Sequence, residues 1–277
     1  MGAAVAQCQP SCVDCNACLG DKGKVAMVRV NVQSATAEGH IPEPDTQCVF
    51  DDGAAYSGEW QGSLRHGHGV HVEADGSTYD GQWADDRAHG QGRLKHADGA
   101  AYDGEWSQNM KHGTGTYVHE DGSKYVGQWV EDTQTGEGNE EWADGTRYVG
   151  QYAAGRKHGH GKYFWPNGSN YVGEFDQDAI HGDGRYVWSD DCSFQGTWVR
   201  QSMHGHGIFL YPDGRKYEGS YANSQKHGHG VQTWSDGRTY EGQWADGEQH
   251  GVGKWTEIGK EVQSEWEKGR RKGVDGA

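Results

Sequence analysis

Residues 217–239 read Tyr-Glu-Gly-Ser-Tyr-Ala-Asn-Ser-Gln-Lys-His-Gly-His-Gly-Val-Gln-Thr-Trp-Ser-Asp-Gly-Arg-Thr, and the same pattern restarts at Tyr240. Going back from Tyr240 in steps of 23 residues reaches an aromatic residue every time, without insertion or deletion: Tyr217, Phe194, Tyr171, Tyr148, Tyr125, Tyr102, Tyr79 and Tyr56. A fixed period of this length is the signature of a repeat array.

The first part of each repeat has the pattern of a β-strand. If the aromatic residue at 56, 79 and so on is position 1, position 3 is glycine and position 5 is aromatic in all nine copies. Alternate residues of a strand share one face, so positions 1, 3 and 5 are expected to lie together. We interpret the tryptophans at position 5 as a structural ladder: Trp60, Trp83, Trp106, Trp129, Trp198 and Trp244.

The second part of each repeat indicates another strand. Positions 12 and 14 are always glycine, and positions 16 and 18 are often aromatic, as at Tyr163 and Trp165. An Asp-Gly pair such as Asp75-Gly76 then precedes the next repeat and predicts a hairpin turn. Positions 7 to 11 are expected to form a looser polar loop that ends in histidine. We expect the glycines to leave room for the rings to lie on the backbone of neighbouring strands.

This unit, Tyr-x-Gly-x-Trp…His-Gly-x-Gly…Asp-Gly, resembles the MORN repeat family. The resemblance implies an all-β fold, an elongated, single-layer, twisted antiparallel sheet of tandem MORN hairpins. It predicts a largely irregular, cysteine-containing tail and linker over residues 1–48, a repeat array over residues 49–267, and a weakly basic C-terminal tail over residues 268–277.

Composition limits the partners and the compartment. The net charge of −16 argues against nucleic acid as a ligand and against simple electrostatic attraction to anionic lipid. No apolar run is long enough for a transmembrane helix, and we expect no secretory signal. Six cysteines in such a chain favour a reducing compartment.

The N-terminal residues allow three interpretations. Gly2 is a candidate for myristoylation, and Cys8 or Cys12 for palmitoylation, although Ala6 stands where the motif prefers Ser or Thr. Cys8, Cys12, Cys15 and Cys18 have a spacing that suits a metal centre. An unmodified tail with free thiols is the third interpretation.

The histidines are expected to be structural. Eight of the nine repeats carry histidine at position 11, and adjacent copies would lie about 10 Å apart, too far to share one metal ion. No catalytic motif accompanies them. We therefore predict no enzyme activity, no catalytic residue, no cofactor and no metal among the repeats.

One group of apolar residues lies where the pattern predicts a polar face. In repeats five to seven, positions 2, 15 and 17 include Val149, Phe164, Val172, Val187, Ile208 and Leu210. We interpret these residues as a partner patch or a site of self-association. The alternative is the ordinary strand preference of valine and isoleucine.

These observations predict a non-enzymatic scaffold. Its resemblance to MORN proteins implies protein partners at a membrane or cytoskeletal structure. The expected location is cytoplasmic, either at the cytoplasmic face of a membrane through N-terminal acylation or at cortical or ciliary cytoskeleton. The alternative is a regulatory or targeting module that works with a phosphatidylinositol phosphate kinase or another enzyme on a separate chain.

Overall fold

The computed structural model describes residues 26–28, for which only the backbone is considered, and residues 47–272. The chain divides between Thr133 and Gln134 into two compact units. This division falls in the fourth repeat, in which Thr135 replaces the usual histidine. All strands of the described residues pair antiparallel, and these residues contain no helix.

The described residues of the first unit form nine strands in chain order: β1 (Ala26–Val28), β2 (Gln47–Val49), β3 (Ala55–Gln61), β4 (Leu64–Val72), β5 (Thr78–Ala84), β6 (Arg87–Lys95), β7 (Ala101–Ser107), β8 (Met110–Val118) and β9 (Lys124–Val130). Each strand pairs with the next one along the chain.

In the second unit, up to residue 272, thirteen strands follow: β10 (Thr133–Glu141), β11 (Arg147–Ala153), β12 (Arg156–Phe164), β13 (Asn170–Asp176), β14 (Ala179–Val187), β15 (Ser193–Val199), β16 (Ser202–Leu210), β17 (Lys216–Ala222), β18 (Gln225–Thr233), β19 (Thr239–Ala245), β20 (Glu248–Glu257), β21 (Lys260–Glu267) and β22 (Arg270–Arg271). The predicted all-β fold of tandem antiparallel hairpins is confirmed.

The buried layer is formed by rings that meet edge to face. Tyr79 contacts Trp83 of its own repeat, with ring centroids 5.0 Å apart, and Trp106 of the next repeat, at 5.3 Å. Their ring planes cross at 82° and 89°, the edge-to-face geometry that aromatic quadrupoles favour. The rings at position 1 are at most 6% exposed. Each ring therefore connects two repeats.

Two glycines of each repeat make room for these rings. A Cβ on Gly92, at position 14, would lie 2.6 Å from Cζ of Tyr79. A Cβ on Gly81, at position 3, would lie 2.7 Å from the carbonyl oxygen of Gln91. The Tyr79 hydroxyl donates to the Gln82 carbonyl at 2.9 Å, so the polar end of the ring is also satisfied. The expected floor of glycine backbone is present at positions 3 and 14.

The glycine at position 12 has a different role. Gly113 has a φ of 58°. The chain forms a β-bulge here: Gly104 pairs with Gly115, but the next residue, Glu105, pairs with His112. Glu105 Oε1 accepts a hydrogen bond from the Thr114 backbone N–H at 2.9 Å. Hydrogen bonds from the Thr114 backbone and side chain hold the pKa of Glu105 below its ordinary value.

The prediction of a loop from position 7 to position 11 is wrong. Positions 7 and 8 form a two-residue turn, as at Asp85 and Asp86, whose φ values are 48° and 64°. Two positive φ values define a type I′ turn, whose twist matches that of paired strands. The next strand begins at position 9, so the histidine at position 11 lies within it.

This turn also connects neighbouring repeats. Asp86 Oδ1 accepts from the Arg65 backbone N–H at 2.7 Å, and the Asp86 N–H donates to the Arg65 carbonyl at 3.1 Å. Asp178 makes the same two bonds with Lys157, at 2.9 and 3.0 Å. Backbone polar groups at this edge of the repeat are therefore satisfied by the following repeat.

The second turn keeps its geometry where its glycine is missing. In the first repeat, Asp75 Oδ1 accepts from the Ser77 N–H at 2.8 Å, and Gly76 has a φ of 91°. In the sixth repeat, Asp190 Oδ1 accepts from the Cys192 N–H at 3.0 Å, and Asp191 takes the glycine place with a φ of 64°.

Short strands extend the sheet at both ends of the array. At the N-terminal end, β1 pairs with β2, and β2 pairs with β3. Within the segment predicted to be a C-terminal tail, β22 pairs with β21. Arg271 Nε donates to Ser264 Oγ at 2.6 Å, and Lys272 Nζ lies 3.0 Å from Glu265 Oε1.

The first prediction concerns the glycine floor. Gly92→Ala should lower the free energy of unfolding by about 3 kcal/mol, because its Cβ would overlap the buried Tyr79 ring. Gly99→Ala, a turn position with open space and a φ of 100°, should cost only about 1 kcal/mol. Denaturant unfolding measures both values, and equal losses would contradict this account of position 14.

The second prediction concerns the sixth turn. Asp191→Gly should stabilise the protein by up to about 1 kcal/mol, because glycine adopts a positive φ without a steric penalty. Gly168→Asp, the reverse change in the fifth repeat, should destabilise by a similar amount. Paired thermal unfolding curves test this, and destabilisation by Asp191→Gly would contradict it.

Candidate functional site

All six residues of the predicted partner patch lie on one face of the second unit. We call this the patch face, and the face with positions 1, 3 and 5 the ladder face. Val149, Phe164, Val172 and Leu210 are 38–44% exposed, whereas Val187 and Ile208 are half-buried.

The strand register separates these apolar residues by polar ones. In one row across the sheet, Lys162 pairs with both Val149 and Val172, and Arg185 follows Val172. Apolar and cationic side chains therefore alternate along this row of the patch face.

A second row of the patch face alternates apolar side chains with polar ones, of which Arg147 is charged. Phe164 pairs with Arg147 and with Asn170, and the Arg147 guanidinium lies 5.9 Å from the centre of the Phe164 ring. Further along the same row, Ser193 lies between Val187 and Leu210.

Two cations of this face are available to a partner. Lys162 and Arg185 are exposed, and no described carboxylate forms an ion pair with either one. In a chain with a net charge of −16, an exposed region with apolar side chains and unpaired cations is unusual. Its chemistry suits a segment with both carboxylates and apolar side chains.

The ladder face carries a second row of rings beside the buried layer. In the second unit, ring contacts of 4.5 to 5.9 Å join consecutive members of the series Trp142, Tyr163, Trp165, Tyr186, Trp188, Phe209 and Tyr211. All seven residues are half-buried. Sequence reasoning identified the positions but missed that they form one row.

The structural ladder residues lie on the ladder face as the pattern indicates. Trp83, Trp106, Trp129, Trp198 and Trp244 are 4–7% exposed. Trp60 is 41% exposed, because no repeat precedes it among the described residues. The Trp106 indole N–H donates to the Gly92 carbonyl of the preceding repeat at 2.9 Å, which is a contact Trp60 lacks.

The histidines make separate pairs with carboxylates. His158 Nδ1 lies 3.4 Å from Asp176 Oδ1, and His68 Nε2 lies 3.2 Å from Asp80 Oδ1. Within residues 47–272, no group of three or more His, Cys, Asp or Glu is arranged to hold a metal ion. The lipidation candidates Gly2, Cys8 and Cys12, and the metal candidates Cys15 and Cys18 with them, lie outside the described residues.

A half-buried lysine lies on the ladder face of the eighth repeat. Lys226 Nζ lies 4.8 Å from the ring centres of both Tyr217 and Trp244, and it donates to Gln232 Oε1 at 2.6 Å. Burial, with a smaller contribution from Arg215, lowers the pKa of Lys226 to about 8. The described ion pairs include none between Lys226 and a carboxylate.

The third prediction concerns this lysine. Because its folded-state pKa lies below the unfolded value, stability should rise as pH increases through about 8 toward 10.5. Between pH 7 and 9.5 the wild type should gain about 1–2 kcal/mol relative to Lys226→Met. Denaturant unfolding at both pH values measures this difference. Parallel stability changes in the two proteins would contradict the assignment.

Two features of the chain concern membrane spans and known relatives. Over the described residues, no helix has the length and apolar character needed to cross a membrane. A search of curated proteins finds no significant match.

Several solved structures share part of the strand arrangement. The TCP10 domain of Danio rerio CPAP, in complex with a peptide of Danio rerio STIL, is 12% identical over 74% of this chain and 92% of that chain, with a TM-score of 0.42. The CPAP G-box domain is 12% identical over 71% and 97%, with a TM-score of 0.37. The TCP domain of Drosophila melanogaster SAS-4, in complex with a proline-rich motif of Ana2, is 14% identical over 70% and 100%, with a TM-score of 0.32.

The family model for the MORN repeat matches nine consecutive segments of the chain: residues 56–78, 79–101, 102–124, 125–147, 148–170, 171–193, 194–214, 217–237 and 240–256. These segments have the 23-residue spacing of the ring-and-glycine unit and include both of its strands. The chain belongs to the MORN repeat family.

Proposed function

We propose that this protein is a non-enzymatic scaffold that binds protein partners through the patch face. The observation that carries the proposal is the alternation of apolar and cationic side chains in repeats five to seven, where Val172 lies between Lys162 and Arg185 in one row. Buried interface centres favour apolar side chains, and flanking charges select and orient the partner. A partner segment with alternating apolar and acidic residues fits this surface.

The interactions that stabilise the array leave the residues of the patch face free to vary. The rings and glycines that hold the repeats together lie on the ladder face, so substitutions on the patch face do not disturb them. Position 2 is aspartate at Asp80 and Asp103, and position 17 is glutamate at Glu141. Repeats five to seven therefore carry apolar residues at positions that accept charge elsewhere in the array.

The scaffold would act at a membrane or a cytoskeletal structure in the cytoplasm. The membrane route would be acylation of Gly2 together with Cys8 or Cys12, because two acyl chains anchor a protein where one does not. Support for this route comes from the sequence of the N-terminal residues alone. Self-association through the same patch face is the competing use of this surface.

The fourth prediction tests the patch face. The double variant Val187→Glu/Leu210→Glu should fold, since Glu141 occupies the same position in the fourth repeat. It should lose bound partners by at least tenfold, because two carboxylates would be buried beside the acidic segment. Affinity capture from native cells, quantified by mass spectrometry, measures this loss, and size-exclusion chromatography detects self-association.

The matched control is Val72→Glu/Val118→Glu. Both residues occupy position 17, are half-buried, and lie in repeats one and three of the first unit. This control should capture the same proteins as the wild type. If all three proteins capture the same set in the same amounts and have the same elution volume, the patch face is not the binding surface.

A further inference from the structure

The second row of rings is interrupted in the eighth repeat. Position 16 carries a ring in the three preceding repeats, at Tyr163, Tyr186 and Phe209, but carries Gln232 in the eighth. Aromatic contacts resume beyond it between Trp234 and Trp255, at 5.0 Å. A glutamine occupies less volume than a tyrosine ring, so the interruption leaves an open pocket of about 280 Å³.

The walls of this pocket combine rings with a cation. Tyr211, Trp234 and Trp244 provide its aromatic surfaces, and Lys226 and Gln232 are among its polar groups, together with Gln249 and the charged Arg215 and Glu248. Gln232 is only 4% exposed, and Lys226 is half-buried. An amide and an ammonium group beside rings are polar groups that a ligand can use for orientation.

Among the described residues, no carboxylate forms an ion pair with the Lys226 ammonium group. This group donates a hydrogen bond to the neutral Gln232 amide and lies against the rings of Tyr217 and Trp244. Such a cation is poorly solvated, which is also why its pKa is lowered. A carboxylate that entered the pocket would form a charge-assisted hydrogen bond with it.

Of the charged groups that line the pocket, we expect Lys226 to be the one that binds a carboxylate. Arg215 Nε already pairs with Asp213 Oδ2 at 2.7 Å, and its guanidinium lies 4.3 Å from the Tyr211 ring centre. Glu248 also lines the pocket, and no ion pair joins it to Lys226 in the described part of the chain. Glu248 would disfavour a ligand of higher negative charge, such as a phosphate group.

We propose that the pocket lined by Tyr211, Lys226, Gln232, Trp234 and Trp244 binds the side chain of a glutamate or aspartate from a protein partner. The aliphatic stem would lie between the rings, and the carboxylate would accept a hydrogen bond from Lys226 Nζ. The pocket volume of about 280 Å³ lies below the range of about 300–1,000 Å³ that is typical of pockets for drug-sized ligands, so it suits a smaller group such as one side chain. This site lies on the ladder face and does not depend on the patch face.

The site can be removed by two substitutions that introduce residues found at the same positions in other repeats. Lys226→Met introduces the residue that stands at the same position in the seventh repeat, Met203, and eliminates the ammonium group. Gln232→Tyr introduces the residue found at Tyr163 and Tyr186, and it should restore the row of rings and fill the pocket. Lys157→Met is the control, since Lys157 occupies the same position but lies 3.5 Å from Asp178.

The fifth prediction uses glutamic acid blocked at both termini as the probe and blocked glutamine as its neutral counterpart. NMR of the Lys226 ammonium group and of the tryptophan indole N–H groups should show saturable binding of the blocked glutamate. Binding of the blocked glutamine should be at least tenfold weaker. The bound carboxylate should raise the pKa of Lys226 toward its ordinary value. Lys226→Met and Gln232→Tyr should each abolish binding, and Lys157→Met should retain it.

Three outcomes would overturn the proposal. Equal binding of the glutamate and glutamine probes would show that the pocket does not recognise a carboxylate. Binding retained in folded Lys226→Met would assign the carboxylate to another group. Stronger binding of inorganic phosphate than of blocked glutamate would make this a phosphate site. The variant Val187→Glu/Leu210→Glu should bind the probe like the wild type, so this test is separate from that of the patch face.

Discussion

The packing of each position-1 ring onto the glycines at positions 3 and 14 determines most of this structure. A ring of this kind removes about 150–250 Å² from water, which is on the order of 4–6 kcal/mol before conformational entropy is counted. Tyr79 can lie where it does only because Gly81 and Gly92 lack side chains. Because Tyr79 contacts both Trp83 and Trp106, the same interaction forms the repeat and joins it to the next one. This explains how a chain with only 33% hydrophobic residues folds as a single-layer sheet.

The same constraint separates stability from recognition. The ring layer, the glycines and the turn contacts use fixed positions of the unit, while positions 2, 15 and 17 point to the other face and carry varied residues. Repeats five to seven place Val149, Phe164 and Val172 on that face beside cations. On the ladder face, the change at Gln232 leaves the buried layer intact, as Tyr240 and Trp244 remain in edge-to-face contact at 5.3 Å. Function in such an array is therefore expected where one copy departs from the repeat.

The sequence was sufficient for much of the fold because the unit is repeated nine times without a shift. The alternation of Tyr79, Gly81 and Trp83 predicted both the strand and the face, and the Asp-Gly pairs predicted one of the two turns. The other turn was missed because its residues vary, from Asp85-Asp86 to Ala154-Gly155, although all four have positive φ. Position 12 was assigned to the glycine floor because Gly113 and Gly115 look alike in sequence; only the bulge, with its positive φ at Gly113, distinguishes them.

The candidate sites were harder to predict from the sequence than the fold was. The six patch residues were identified from alternation, but the cations between them depend on the register of neighbouring strands. The pocket was missed because Gln232 looked like an ordinary polar residue. Its signal was the loss of a ring at a position that is aromatic in the three preceding repeats. The contacts of a half-buried group such as Lys226 depend on the packing around it, which the repeat pattern does not specify.

Hydrogen exchange of two deletion variants tests the central claim that ring-and-glycine register holds the array together. Removal of residues 81–103 joins Asp80 to Gly104 and recreates Tyr-x-Gly-x-Trp from Tyr79, Gly104 and Trp106. Removal of residues 81–102 leaves one extra residue, which moves Tyr79 and Gly104 to opposite faces of the strand. The account predicts strong amide protection across residues 56–80 and 104–133 in the first variant and loss of protection around the junction in the second. Equal protection in both variants would contradict it.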